Sequence, residues 1–167
     1  MKVEDTGKRA EALFDSGMFC AESVLQAVAG QAGIESPLIP RIATGFCSGM
    51  ARTKGMCGAV SGGVMALGLF FGRDNAGVTV DAAYVKIREF LEIFKKQYGS
   101  DNCFEITGYD LGTEDGRVMF KESGTREKCA GITGEAARMA AAIISRDKTS
   151  ASAGWMAYKG NDYERQR

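Results

Sequence analysis

Hydrophobic positions recur at helical spacing along most of the chain. Ala10, Leu13 and Phe14 fall on one face of a first segment reaching Ser16, with Gly17 placed to end it. A second helix is expected from about Phe19. Its Cys20, Val24 and Val28 repeat every four residues, and Ala21 with Leu25 widens the stripe into a core-facing side that Gly30 and Gly33 close. Pro37 and Pro40 bracket a short connecting turn in which Ser36 can cap and Ile39 and Ile42 can pack. The stretch Gly45 to Gly63, GFCSGMARTKGMCGAVSGG, reads as a flexible glycine-rich loop running into a buried helix from Ala59 to Phe71.

The clearest element is Asp81 to Tyr98. Tyr84, Ile87, Leu91, Phe94 and Tyr98 alternate steps of three and four, Lys95 and Lys96 sit in the last turn, and Gly99 follows. Asp101 and Asn102 can cap a short turn through Cys103 and Phe104, and a polar loop with Gly108, Gly112 and Gly116 comes next. A last core helix is expected from about Cys129 to Ile144, with Ile132, Ala136, Ala140 and Ile143 on one side. No strand alternation of useful length occurs, so the expected fold is all-α, an irregular bundle with a glycine-rich cysteine loop.

Composition sets the outer bounds. With 167 residues, 45% of them apolar, the chain can build one core, read here as a single helical domain over 1–146. Residues 147–167 turn polar and read as a tail, in which Trp155 and Tyr158 suggest docking on the core or on a second copy in a homodimer. Acidic and basic residues both number 21 without runs, which argues against nucleic acid and against an electrostatic membrane anchor. The charged N-terminus lacks a secretory apolar stretch, and Gly58 to Phe71 is too short to span a bilayer, so a cytoplasmic, non-membrane protein is expected. Histidine is absent, which removes the commonest general base and any Cys-x-x-Cys-His haem attachment.

That leaves the five cysteines, Cys20, Cys47, Cys57, Cys103 and Cys129, none of them in a Cys-x-x-Cys pair. A single free cysteine is most often a small buried hydrophobe. Four of these, Cys20, Cys57, Cys103 and Cys129, instead fall in the first turn of an expected helix, where free amides and the dipole favour thiolate. Such starts converging on one point would suit an anionic centre. Cys47 lies in the loop with no apolar helix directly behind it. Arg52 and Lys54 between Cys47 and Cys57 read as solvated cations, and Met50, Met56 and Met65 as core filling.

The segments Phe19-Cys20-Ala21-Glu22-Ser23-Val24-Leu25, Cys57-Gly58-Ala59-Val60-Ser61-Gly62, Cys103 before Gly108-Tyr109-Asp110-Leu111, and Lys128-Cys129 resemble a bacterial family of redox-active proteins named for its cysteine pattern, C_GCAxxG_C_C. The resemblance covers about residues 10 to 145. It implies that Cys20, Cys57, Cys103 and Cys129 are the characteristic cysteines, redox-active or holding an iron–sulfur group, with Gly58 beside them. A similar domain accompanies haem segments in split-Soret cytochromes, which implies an electron-transfer setting. Cys47 stands where such proteins usually have glycine. Three functions follow as expectations. The first is electron transfer or redox sensing through an iron–sulfur centre, with a redox partner protein. The second is metal-free thiol–disulfide exchange with a small thiol or disulfide, a low-pKa cysteine such as Cys57 attacking and another resolving; Cys20 is the other candidate catalytic cysteine, and Cys47 could serve as a resolving thiol or a fifth, exchangeable ligand. The third is a structural zinc site in an interaction module.

Overall fold

The computed structural model describes residues 2–147; the expected roles of Trp155 and Tyr158 lie outside the described residues. The chain is all-α in this range, and its elements follow the hydrophobic stripes closely. Helix α1 covers Val3–Asp15, α2 Cys20–Gln31, α3 Leu38–Ala43, α5 Gly58–Phe71, α6 Asp81–Tyr98, α7 Cys103–Thr107, α8 Glu114–Glu122 and α9 Thr125–Arg146, with α4 the turn Cys47–Arg52. Among the described residues the only β pairing is an isolated antiparallel bridge between Met56 and Asn102. No described helix is long and apolar enough to cross a membrane.

Helix α5 is the central element because nearly all its residues are apolar or glycine, so every face must be covered. α2, α6 and α9 cover it. Two glycines set how closely they approach. A Cβ at Gly62 would lie 2.8 Å from both the Ala21 carbonyl and Val24 Cβ of α2, and one at Gly63 would enter the Phe90 ring of α6. Phe90, Phe94, Leu25 and Leu67 are fully buried at these contacts. Each such side chain stabilises the fold by roughly 1.5–3 kcal/mol relative to exposure.

The first and last long helices pack on each other as α1 against α9, again through glycine: a Cβ at Gly7 would sit 3.0 Å from the Gly134 carbonyl. Arg138 crosses this contact, its Nε 3.3 Å from Glu4 and its guanidinium beside Glu135. The Arg126 guanidinium lies 4.5 Å over the Phe14 ring and donates to the Phe14 carbonyl at 2.9 Å, closing the other end of the same interface.

Four expectations need correction. The Pro37–Pro40 turn is the start of helix α3: the Ser36 hydroxyl accepts the Leu38 amide at 3.2 Å and Ile39 is buried, but Ile42 faces solvent. The polar stretch after Gly108 contains helix α8, capped by the Thr113 hydroxyl accepting from the Gly116 amide. Helix α9 starts at Thr125, four residues earlier than its apolar stripe, because its first turn is polar. Cys129 therefore sits in the second turn and not at the helix start.

The fourth correction concerns the glycine-rich stretch, which is ordered in an unusual way. Ser48, Gly49, Met50 and Ala51 all hold left-handed helical φ/ψ values, so α4 is a turn of the opposite hand; Arg52 and Lys54 also have positive φ. An L-residue in this conformation costs roughly 1–2 kcal/mol. The turn is closed by the Thr53 amide donating to the Gly49 carbonyl at 3.1 Å and the Gly55 amide to the same oxygen at 3.0 Å.

Candidate functional site: a cysteine cavity

Cys20 opens α2, Cys57 is the residue before α5, Cys103 opens α7, and Cys129 projects from α9. All four line one cavity of about 70 Å³, whose walls are otherwise largely apolar, with Phe14, Phe19, Ile106, Leu111, Phe120 and Ile132 among them. Ser48 and Arg126 also reach it, and neither was singled out as a site residue from the sequence. No pattern in the sequence marks Arg126, since its place depends on α9 starting early and on the Phe14 ring across the interface.

Local backbone contacts fix the sulfurs. The Cys57 amide donates to the Asp101 carbonyl at 2.7 Å and the Cys103 amide to the Gly55 carbonyl at 2.9 Å, while Asn102 Nδ2 donates to the Lys54 carbonyl at 2.7 Å. These bonds flank the Met56–Asn102 bridge and lock Cys57 and Cys103 side by side. At the other edge, the Glu22 carboxylate accepts the Phe19 amide at 2.8 Å and the Thr44 hydroxyl at 2.7 Å, tying the start of α2 to the chain just before Cys47. Lys54 pairs with Asp110 at 2.9 Å, so it braces the loop over α7 and is not a free cation.

Glycine is required at two points for steric reasons. A Cβ at Gly58 would run into Cys20 Sγ and lie 3.1 Å from both Cys47 Cα and the Phe46 carbonyl; one at Gly49 would lie 2.7 Å from Cys103 Cβ. The Cys-Gly-Ala step thus makes room for another cysteine's sulfur.

Cys47 is only 4% exposed and belongs to the hydrophobic core, contrary to its expected place in a swinging loop. It lies behind Cys20, outside the cavity, with its sulfur 3.5 Å from the Ala43 carbonyl and facing Cys20 Sγ. Its single hydrogen goes to Cys20 when Cys20 is a thiolate, the stronger acceptor. That bond is the largest cause lowering the Cys20 pKa to about 7, aided by the Ser48, Ala21 and Cys20 amides against the opposing effect of burial. The same bond and burial push Cys47 up.

The other three thiols are pushed up to about 12, first by burial. For Cys57 the charges of Cys20 and Cys103 add to this against the Ala59 and Val60 amides, for Cys103 the charges of Cys20 and Cys129, and for Cys129 those of Cys57 and Cys20 against Lys128 and Arg126. Every pair among Cys20, Cys57, Cys103 and Cys129 therefore interacts electrostatically, a tetrad in the physical sense. Of the two cysteines expected to react, Cys20 rather than Cys57 is the one held near its thiolate form.

The donor set can be tested against the groups it was expected to hold. Among the described residues no three Cys, Asp or Glu side chains form, as they stand, a group that could hold a metal ion. Four soft sulfurs line one largely apolar space, a donor set whose chemistry suits soft metals rather than hard cations.

No curated protein and no solved structure matches the chain. The sequence profile of the family described as "Putative redox-active protein (C_GCAxxG_C_C)" matches residues 18–143, a span that holds all five cysteines and every cavity wall except Phe14. The chain belongs to that family.

Proposed function

We propose that this protein carries electrons or senses redox state through an iron–sulfur centre held by Cys20, Cys57, Cys103 and Cys129. The observation that carries this reading is that four cysteines from α2, α7, α9 and the start of α5 face one largely apolar cavity. When bound, the group would supply reversible one-electron chemistry that no side chain of this protein offers.

The chain's own residues supply the rest. The Ser48 and Ala21 amides face Cys20 Sγ and the Ala59 and Val60 amides face Cys57 Sγ, so both sulfurs have donors that stabilise negative charge. Gly58 leaves the space that lets Cys20 Sγ stand against α5. Phe14, Phe19, Leu111 and Phe120 exclude water. Without a bound cation, four adjacent thiolates repel one another, and three of the thiols keep their protons at neutral pH. A cationic centre offsets that repulsion, and loading releases protons.

The test is anaerobic reconstitution of the full chain with iron and sulfide, read by visible absorption and by iron and sulfide content. Brown protein is expected, with iron content falling severalfold in Cys57→Ser and in Cys129→Ser. Folded protein that stays colourless under these conditions overturns the reading.

A further inference from the structure

Cys47 is left over by the four-cysteine centre, yet it packs beside one member of it, Cys20. The Cys47 thiol faces Cys20 Sγ, and both residues crowd the same point above Gly58, one through Sγ and the other through Cα. Amides at the start of α2 serve both: Ala21 faces each sulfur, Glu22 the Cys47 sulfur, and Ser48 the Cys20 sulfur. Exposure differs between the two, because Cys20 lines the cavity and is partly exposed while Cys47 is buried. A partly exposed cysteine with a buried one directly behind it is the arrangement that a dithiol needs to attack a disulfide and then close on itself.

We propose that Cys20 and Cys47 form a reversible dithiol–disulfide couple that reduces small disulfides reaching the exposed edge of Cys20, with Cys20 the attacking sulfur and Cys47 the resolving one. The thiolate of Cys20 attacks one sulfur of a low-molecular-weight disulfide, RSSR. That S–S bond breaks, RS⁻ leaves, and a mixed disulfide forms on Cys20. The Cys47 thiol then gives its proton to the departed RS⁻ and attacks Cys20 Sγ, displacing the second RS⁻. Two electrons pass from the protein pair to RSSR, which leaves as RSH and RS⁻, while the protein holds one Cys20–Cys47 bond. Closing brings the two sulfurs to about 2.0 Å. The couple stands independently of the iron–sulfur reading but shares Cys20 with it.

The experiment uses reduced, iron-free full-length protein exposed to glutathione disulfide. Exchange is stopped with acid, free thiols are then alkylated in denaturant near neutral pH, and the linked peptides are mapped by mass spectrometry. At least tenfold more Cys20–Cys47 link than any other pair is expected, with Cys57, Cys103 and Cys129 recovered alkylated. In Cys47→Ser the second step is blocked, so glutathione should remain attached to Cys20. The proposal is overturned by a dominant link through Cys57, Cys103 or Cys129, by no link at all, or by a Cys47→Ser protein that traps no glutathione on Cys20. Iron and sulfide uptake by the reduced wild type, measured in parallel, reports on the four-cysteine centre alone, so either idea can fail without the other.

Discussion

Replacing Gly58 by alanine adds one methyl group at the most crowded point of the site. The new Cβ would collide with Cys20 Sγ and stand 3.1 Å from both Cys47 Cα and the Phe46 carbonyl; two of these three neighbours are backbone and cannot swing away. Overpacking of this kind costs about 1–3 kcal/mol. The gain in helix propensity is at most about 1 kcal/mol and is smaller at the first residue of α5. A net loss of roughly 1–2 kcal/mol follows, or a fall of about 2–8 °C in Tm for a domain of this size. Gly131 supplies the control within the same protein, since it is exposed within α9 and a Cβ there meets nothing within 4 Å. Gly131→Ala should raise stability by about 0.5–1 kcal/mol. Urea and thermal unfolding of the reduced, metal-free variants give both numbers, and the alkylation rate of Cys20 reports whether its sulfur has been displaced. If Gly58→Ala proves as stable as Gly131→Ala and leaves Cys20 labelling unchanged, the steric account of the Cys-Gly-Ala step is wrong.

The remaining predictions concern charge and cover. In metal-free protein, Cys20 should alkylate with a midpoint near pH 7, and Cys47→Ala should move that midpoint upward because the lowering rests chiefly on the Cys47 hydrogen bond; an unmoved midpoint would contradict it. Stability should change sign in its pH dependence. Cys20, lowered from 9.0 to about 7, contributes stability that is complete above 9 and lost as pH falls through 7. Cys57, Cys103 and Cys129 stay protonated to about 12 when folded but ionise near 9 when unfolded, so urea midpoints should drop as pH rises above 9. Arg126→Ala removes the stacking on Phe14 and the bond to its carbonyl, at a cost of roughly 1–2.5 kcal/mol. Arg126→Lys should recover only part of that in the same unfolding assay, because an ammonium cannot stack as a plane.

These tests rest on features that the sequence revealed unevenly. Helix α6 could be read to its ends, because an uninterrupted stripe, two lysines in the last turn and a following glycine all agree. The short α7 was legible from its cap, with Asn102 Oδ1 accepting the Glu105 amide at 3.1 Å as expected of Asn at that position. Helix α8 was hidden by Gly116, which reads as a loop residue but is required because a Cβ there would collide with the Asp110 carbonyl. The start of α9 was hidden by Thr125, Arg126, Glu127 and Lys128, whose helical state is set by tertiary contacts such as Arg126 on Phe14. The left-handed turn could not be read at all, since Ser48, Met50 and Ala51 have no local preference for positive φ. With it went the burial of Cys47, whose neighbours come from α2 and α3. That four cysteines share one space was suggested by their places near helix starts, but the identity of the low-pKa thiol was not, because it depends on contact with Cys47.

The pairing of the first helix with the last has a consequence for how the protein is made. Of the described helices α1 is made before the others and its partner face on α9 after them, so Phe14 at the cavity wall meets Arg126 only when α9 has emerged. Cys57 likewise waits for the Asp101–Cys103 segment before its amide has a partner. Translation at roughly 5–20 residues per second means that Cys20 exists for several seconds before Cys129 does. Through that interval the sulfurs made first have no enclosing wall, so a site that needs all four of them is complete only once α9 has been made.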